Sequence, residues 1–358
     1  ARKLVDPGKR ATYLAEIESE YEIVRSRHQA AARPMVPIGE ARANGLKLDY
    51  SLDTIVVPAV RGVKRLENVP VQQLRPYIDW TFFFMAWDMQ GIYPKILDDA
   101  KYGPEAKRLL DDANRMLDEL EHKQILTANA VYGIFPANRS GDDILVFDPQ
   151  NQDRQIATFH TLRQQVSRKD ATYRSLADYL APLDSGLTDF VGGFVVTAGL
   201  GAQAYADQLR EAGDDYSALL VKLLADRLAE AFAEWLHEKI RKEDWGYAND
   251  EDLTVAELLK EKYQGIRPAF GYPSLHDHQE KETLFALLDG ESIGVSLTDS
   301  YMMDPPASVC GLYFGSHEAE YFDVQEIDRD QFDDYLRRIG RTSQELARSL
   351  GPLIRFKV

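Results

Sequence analysis

The stretch Tyr263–His278, YQGIRPAFGYPSLHDH, concentrates the residue types best suited to holding a small polar molecule. Its prolines and glycines exclude a helix interior or a central strand. They leave a stiff loop whose main-chain amides and carbonyls can meet an outside partner. Arg267 supplies a permanent cation with the forked geometry that grips a carboxylate or phosphate. The competing reading, and the one these residues alone favour, is a surface connection in which Arg267 pairs with a neighbour.

Other candidate chemistry lies elsewhere in the chain. VVTAGLGAQA places Gly199, Gly201 and Ala204 in a GxGxxA pattern between an expected strand and an expected helix, as a dinucleotide-binding turn would. A nucleotide-dependent oxidoreductase is therefore one alternative. Such a unit also needs a second parallel strand ending near an acid that holds the ribose, and here Asp214 and Asp215 run into a long helix instead. His276 and His278 flank Asp277, but with seven histidines in the chain and no second cluster, a solvated turn is the expectation over a metal site. No phosphate-binding Gx4GK[ST] loop and no GxSxG nucleophile elbow is present. Asp79 precedes the aromatic run Trp80, Phe82, Phe83, Phe84 and Trp87, and a carboxylate beside apolar rings must find donors or a cation. Asp226, Glu230 and Glu234 follow one another at i, i+4 along a helix, with a solvated acidic edge as the simplest reading.

The elements that position these residues follow from periodicity. Tyr13, Leu14, Ile17, Tyr21 and Val24 share one face of an N-terminal helix that ends in ARPMVP, so residues 1–34 read as an appended helix and linker and 35–358 as the main domain. Helices are expected over Pro104–His122, around Leu176 and Tyr179, over 216–241, after Thr254 with its capping-box Glu257, after Asp328, and after Thr342. Strands are expected at Thr54–Val57, Val131–Phe135, Ile144–Phe147, Gln155–Phe159, Phe190–Thr197, Ile293–Leu297, Ser308–Phe314 and Glu320–Glu326, the last two as a hairpin across GSHEAE. Strands and helices without regular alternation indicate an α+β fold with a largely antiparallel sheet.

Composition narrows the function classes. The chain has 358 residues, 44% of them hydrophobic and 28% charged, which describes a soluble globular protein. With 42 basic against 58 acidic side chains the net charge is -16, which opposes binding to nucleic acid. The apolar run Phe82–Trp87 is far short of the ~20 residues that cross a bilayer, and no membrane association is expected. One cysteine, Cys310, rules out an internal disulfide and a zinc site of several thiolates, and points to a reducing, cytoplasmic setting.

RPAFGYP at Arg267–Pro273 resembles the RPAxGYP signature of the C-terminal activation domain of cobalamin-dependent methionine synthase. YIDWTFFF (Tyr77–Phe84), GIFPANRSGDDI (Gly133–Ile144), LADRLAEAFAEWLHE (Leu224–Glu238), WGYA at Trp245 and EYFDV at Glu320 are similar to segments of the same family in the same order. The resemblance extends from about residue 35 to about residue 340. It implies one C-shaped domain around a twisted, largely antiparallel sheet with flanking helices. The N-terminal helix resembles the end of the preceding cobalamin-binding domain.

The resemblance further implies reductive reactivation: flavodoxin or a similar reductase reduces cob(II)alamin, and S-adenosylmethionine methylates the resulting cob(I)alamin. Carried over residue by residue, the S-adenosylmethionine contacts are Asp79, Arg267, Pro268, Ala269, Gly271, Tyr272, Tyr321 and Phe322. Phe322 stands where family members often have a second tyrosine, so a hydrogen bond from that hydroxyl is absent here. Asp226 and Glu230 are implied to meet the histidine released from cobalt in the neighbouring domain. Methyl transfer from a sulfonium to so strong a nucleophile needs no general base, so no catalytic residue and no metal ligand is expected. There is no DxHxxG cobalamin motif and no thiolate set for homocysteine activation, so the expectation is a C-terminal part of a larger methyltransferase, or a separately encoded equivalent. An acidic reductase would need a local basic patch, for which Lys239, Arg241 and Lys242 are candidates. A docking module that contacts partners without taking up ligand is the remaining alternative.

Overall fold

The computed structural model describes residues 34–356, together with Arg10, Tyr13 and Ile17. Of the expected N-terminal helix only these three residues are described, each of them helical, and the rest falls outside the described residues. From Met35 the chain packs on the main body, with Val36 N–H donating to the Gln165 carbonyl at 2.9 Å.

One antiparallel sheet organises the molecule. Its strands are β1 (Gly62–Leu66), β2 (Thr127–Ser140), β3 (Asp143–Asp148), β4 (Asn151–His160), β5 (Asp189–Leu200) and β8 (Ser308–Tyr313). They run in the order β4-β3-β2-β5-β8, with β1 pairing the N-terminal half of β2 beside β3. A two-stranded ribbon, β6 (Ser296–Leu297) and β7 (Met303–Asp304), stands apart.

Both faces of the sheet are covered, which explains why β2 and β5 read as nearly continuous apolar runs. Successive side chains alternate between two cores. Tyr132, Ile134, Phe194 and Val196 face one core, which also takes residues of α1 (Trp80–Met85), α2 (Gly103–His122), α3 (Ala202–Glu211) and α4 (Asp215–Lys239). Val131, Phe135, Val191 and Val195 face the other, closed by α5 (Lys281–Leu288) and by the loop around Ile266 and Phe270. A third cluster joins α6 (Arg329–Ile339) and α7 (Ser343–Ser349) through Phe332, Tyr335 and Leu346.

The fold is thus α+β with a mostly antiparallel sheet, as the strand pattern predicts. Several local expectations change. Thr54–Val57 is an irregular turn rather than a strand, and Leu176–Tyr179 makes a single 3-10 turn. The capping box at Thr254 is present, but it opens only the one-turn helix Val255–Leu258. Of Ile293–Leu297 only Ser296–Leu297 is strand. The expected hairpin does not form, because the edge of β8 is already taken. Ile266, Pro268 and Phe270 of the RPAFGYP loop bond to Phe314, Leu312 and Cys310, so that loop lies as an irregular edge strand against β8. Residues 320–326 bond elsewhere, with Val324 N–H donating to Pro273 O at 3.0 Å and Glu320 N–H to the Tyr179 hydroxyl at 3.2 Å.

The GxGxxA segment ends β5 and opens α3, but β5 lies between β2 and β8 and is antiparallel to both. No parallel βαβ unit exists among the described strands, which removes the dinucleotide reading. Close packing of Gly199 against Ala307 and Pro305, and of Gly201 against the Ile125 carbonyl, accounts for the small residues there.

Candidate functional site

The edge-strand conformation of the loop divides its main-chain groups. In an edge strand, alternate residues turn their polar groups towards the sheet and away from it. The Ile266 N–H, the Pro268 carbonyl and the Phe270 N–H face β8 and are used there. The Ala269 N–H finds no acceptor among the described residues, and Arg267 N–H donates to the Tyr321 hydroxyl at 3.0 Å. Gly271 turns the chain at φ 91°, where a side chain is strained, and a Cβ there would meet the His278 ring at 2.3 Å.

His276 and His278, expected on a solvated turn, are less open than that reading implies. Both are half-buried, and burial lowers the pKa of each. No group of three or more metal-ligating side chains exists among the described residues.

Opposite the loop runs α4, and between them opens a cleft of about 690 Å³. Asp79, Arg267, Pro268, Ala269, Tyr272, Tyr321 and Phe322 all line it, although they come from three distant parts of the sequence. Gly271 does not line the cleft itself. Asp79 caps α1, one carboxylate oxygen accepting from Thr81 N–H at 2.8 Å; its second oxygen has no donor among the described residues. The aromatic run that follows, part of a segment with strand-like composition, is helical, and this cap stabilises its first turn. It buries Phe83 and Phe84 while Phe82 stays exposed at the cleft. Phe322 packs its ring 6.3 Å from that of Tyr179.

Arg267 is one of two arginines that line the cleft, and it has a protein partner: its Nη2 donates to Glu234 Oε2 at 2.6 Å. Burial opposes its charge, but Glu234 overrides that and holds the guanidinium pKa above its ordinary value. Glu234 is not the solvated edge the helix spacing suggests. It is 3% exposed, three residues from Ala231 and three from His237, both also buried on α4. Carboxylates are rarely so buried. The positions of Ala231 and His237 were the available sequence signal. Glu230 lines the cleft one turn away, beside Tyr272, whose phenol pKa it raises. Asp226 is not part of the cleft wall; burial raises its pKa. Arg227 and Glu261 also line the cleft and were not singled out from sequence; burial raises the pKa of Glu261.

Beneath the cleft lies a buried aromatic floor. His237 stacks on Tyr313 at 5.1 Å and meets Tyr263 edge-on at 4.9 Å. The Tyr263 and Tyr321 hydroxyls are 3.5 Å apart.

The arrangement offers a fixed cation, a helix-capping carboxylate with a free oxygen, an open main-chain N–H and exposed rings around one volume. It can hold an elongated polar molecule with charged and flat parts. Residues 70–340 match the family described as vitamin B12 dependent methionine synthase, activation domain. Among solved structures, the crystal structure of the MetH reactivation domain bound to AdoHcy shares 46% sequence identity with this chain. The match covers 90% of this chain and 100% of that one, with a TM-score of 0.88.

Proposed function

Because this chain belongs to the activation-domain family of vitamin B12-dependent methionine synthase, we propose that its cleft binds S-adenosylmethionine as the methyl donor for reductive reactivation. The observation that carries this reading is the gathering of Asp79, Arg267, Ala269 and Tyr321 around one cleft. The relative with AdoHcy bound supports the same ligand class.

Each residue then has a physical task. Arg267, anchored through Nη2, presents the rest of its fork to the ligand carboxylate. The free Asp79 oxygen accepts from an ammonium or ribose hydroxyl. The Ala269 N–H and the stiff backbone from Pro268 to Gly271 read the adenine edge, and Tyr321 fixes that backbone from behind. Rings at the mouth, Phe82 and Tyr272, favour a sulfonium by cation–π attraction worth about 0.5–2 kcal/mol.

Cobalamin, carried by a neighbouring domain, supplies the nucleophile after one-electron reduction by flavodoxin or a similar reductase. As the methyl leaves, the electrons of the sulfur–methyl bond stay on sulfur, giving the neutral thioether. No proton moves, so this chain contributes positioning and exclusion of water. Asp226 and Glu230 on α4 are suited to receive a protonated histidine from the neighbouring domain, since facing carboxylates hold an imidazolium in its charged form.

Titration calorimetry on the chain tests the reading. S-adenosylmethionine should bind, and Arg267→Ala should weaken it about 100-fold, the worth of a charge-assisted contact. No binding, or equal binding by Arg267→Ala shown to be folded by circular dichroism, would refute it.

A further inference from the structure

Glu234 has one carboxylate oxygen on Arg267 and one on nothing. Its Oε2 accepts from Arg267 Nη2 at 2.6 Å, while Oε1 is buried with no hydrogen-bond partner. Arg267 Nε is buried and unpartnered beside it. Leaving such groups unsatisfied is costly, and in native structures they commonly mark a missing ion, water or ligand. Both residues line the cleft. Neither nearby hydroxyl is hydrogen-bonded to Oε1: Tyr77 donates to Glu238 at 2.6 Å, and Tyr321 accepts from the Arg267 N–H with the Tyr263 hydroxyl 3.5 Å away.

We propose that Glu234 Oε1 accepts the α-ammonium of the ligand, so that Glu234 and Arg267 together form a receptor for a zwitterionic amino-acid head. The ligand carboxylate lies on Arg267 and its ammonium on Glu234, giving four alternating charges with no net charge. The inference rests on the S-adenosylmethionine reading and refines it. The ammonium goes to Glu234, and the free oxygen of Asp79 is left for the ribose hydroxyls. The receptor is specific for ligands carrying both charges, because a ligand lacking either leaves Glu234 Oε1 or the remaining Arg267 N–H groups buried without a hydrogen bond.

Calorimetry on the whole chain with three ligands tests this: S-adenosylhomocysteine, its analogue with the amino group replaced by hydrogen, and 5′-methylthioadenosine, which lacks the amino-acid head. The wild type should prefer S-adenosylhomocysteine to the deaminated analogue by about 100-fold. Glu234→Gln should largely abolish that preference and leave 5′-methylthioadenosine binding unchanged. Asp79→Asn should weaken all three ligands alike and keep the preference. Equal weakening of all three by Glu234→Gln, or loss of the preference in Asp79→Asn alone, overturns the proposal. Binding of none of the three by the wild type defeats the S-adenosylmethionine reading itself, a separate outcome. Should Glu234→Gln not fold, a crystal structure of the wild type with S-adenosylhomocysteine decides. An ammonium within hydrogen-bond distance of Oε1 supports the assignment, and a water there with the ammonium elsewhere refutes it.

Discussion

At the scale of single residues, the floor of the cleft joins charge to burial. His237 is fully buried, and burial, with Arg241 and Arg267 nearby, holds its pKa well below the ordinary 6.5. The folded chain keeps it neutral, whereas the unfolded chain takes up a proton once the pH falls below about 6.5. Its contribution to stability is therefore intact above that pH and lost as the pH drops through it, with a slope approaching about 1.4 kcal/mol per pH unit. Urea unfolding between pH 7.5 and 5 should show this slope in the wild type and a shallower one in His237→Phe, which keeps a ring against Tyr313. Parallel slopes would remove His237 as the cause. Arg267 was legible in the sequence as a fork between prolines and glycines, but its partner was not. Glu234 lies 33 positions away on another element, and only the packing of α4 turns it inward.

At the scale of elements, the central strands of the main sheet were legible because burial on both faces writes a nearly continuous apolar run into the middle of β2 and of β5. The hairpin after β8 failed because composition cannot show which of two segments wins an edge. The winner was the RPAFGYP loop, and Gly311 makes its approach possible. A Cβ at Gly311 would meet the Pro268 carbonyl at 2.4 Å. Gly311→Ala should therefore shift the loop from β8 and weaken S-adenosylmethionine binding about tenfold or more, with far-UV circular dichroism unchanged. Unaltered affinity would show that loop and ligand are uncoupled. The aromatic run after Asp79 carries a related lesson: its composition favours strand, but the Asp79 cap and burial of one face, Phe83 and Phe84, go with a helix.

At the scale of the whole molecule, the cleft draws one wall from the α4 layer and another from the edge of the sheet, so ligand binding should stabilise the fold as a unit. A ligand at 100 times its dissociation constant adds about 2.7 kcal/mol. Scanning calorimetry should show a rise of about 5 °C in a single transition. A split transition, with only part of the signal moving, would contradict that coupling. The net charge of -16 is not relieved by the expected basic patch. Lys239 pairs with Glu243 and Asp244, Arg241 is buried on Glu251, and Lys242 faces Glu238. Finally, the segment that recognises the ligand also covers the outer edge of β8. Lifting it would bare the row of main-chain donors and acceptors at Cys310, Leu312 and Phe314, a template for pairing with another copy. Damage to this loop would then appear first as self-association and precipitation, so the binding residues also protect the protein's solubility.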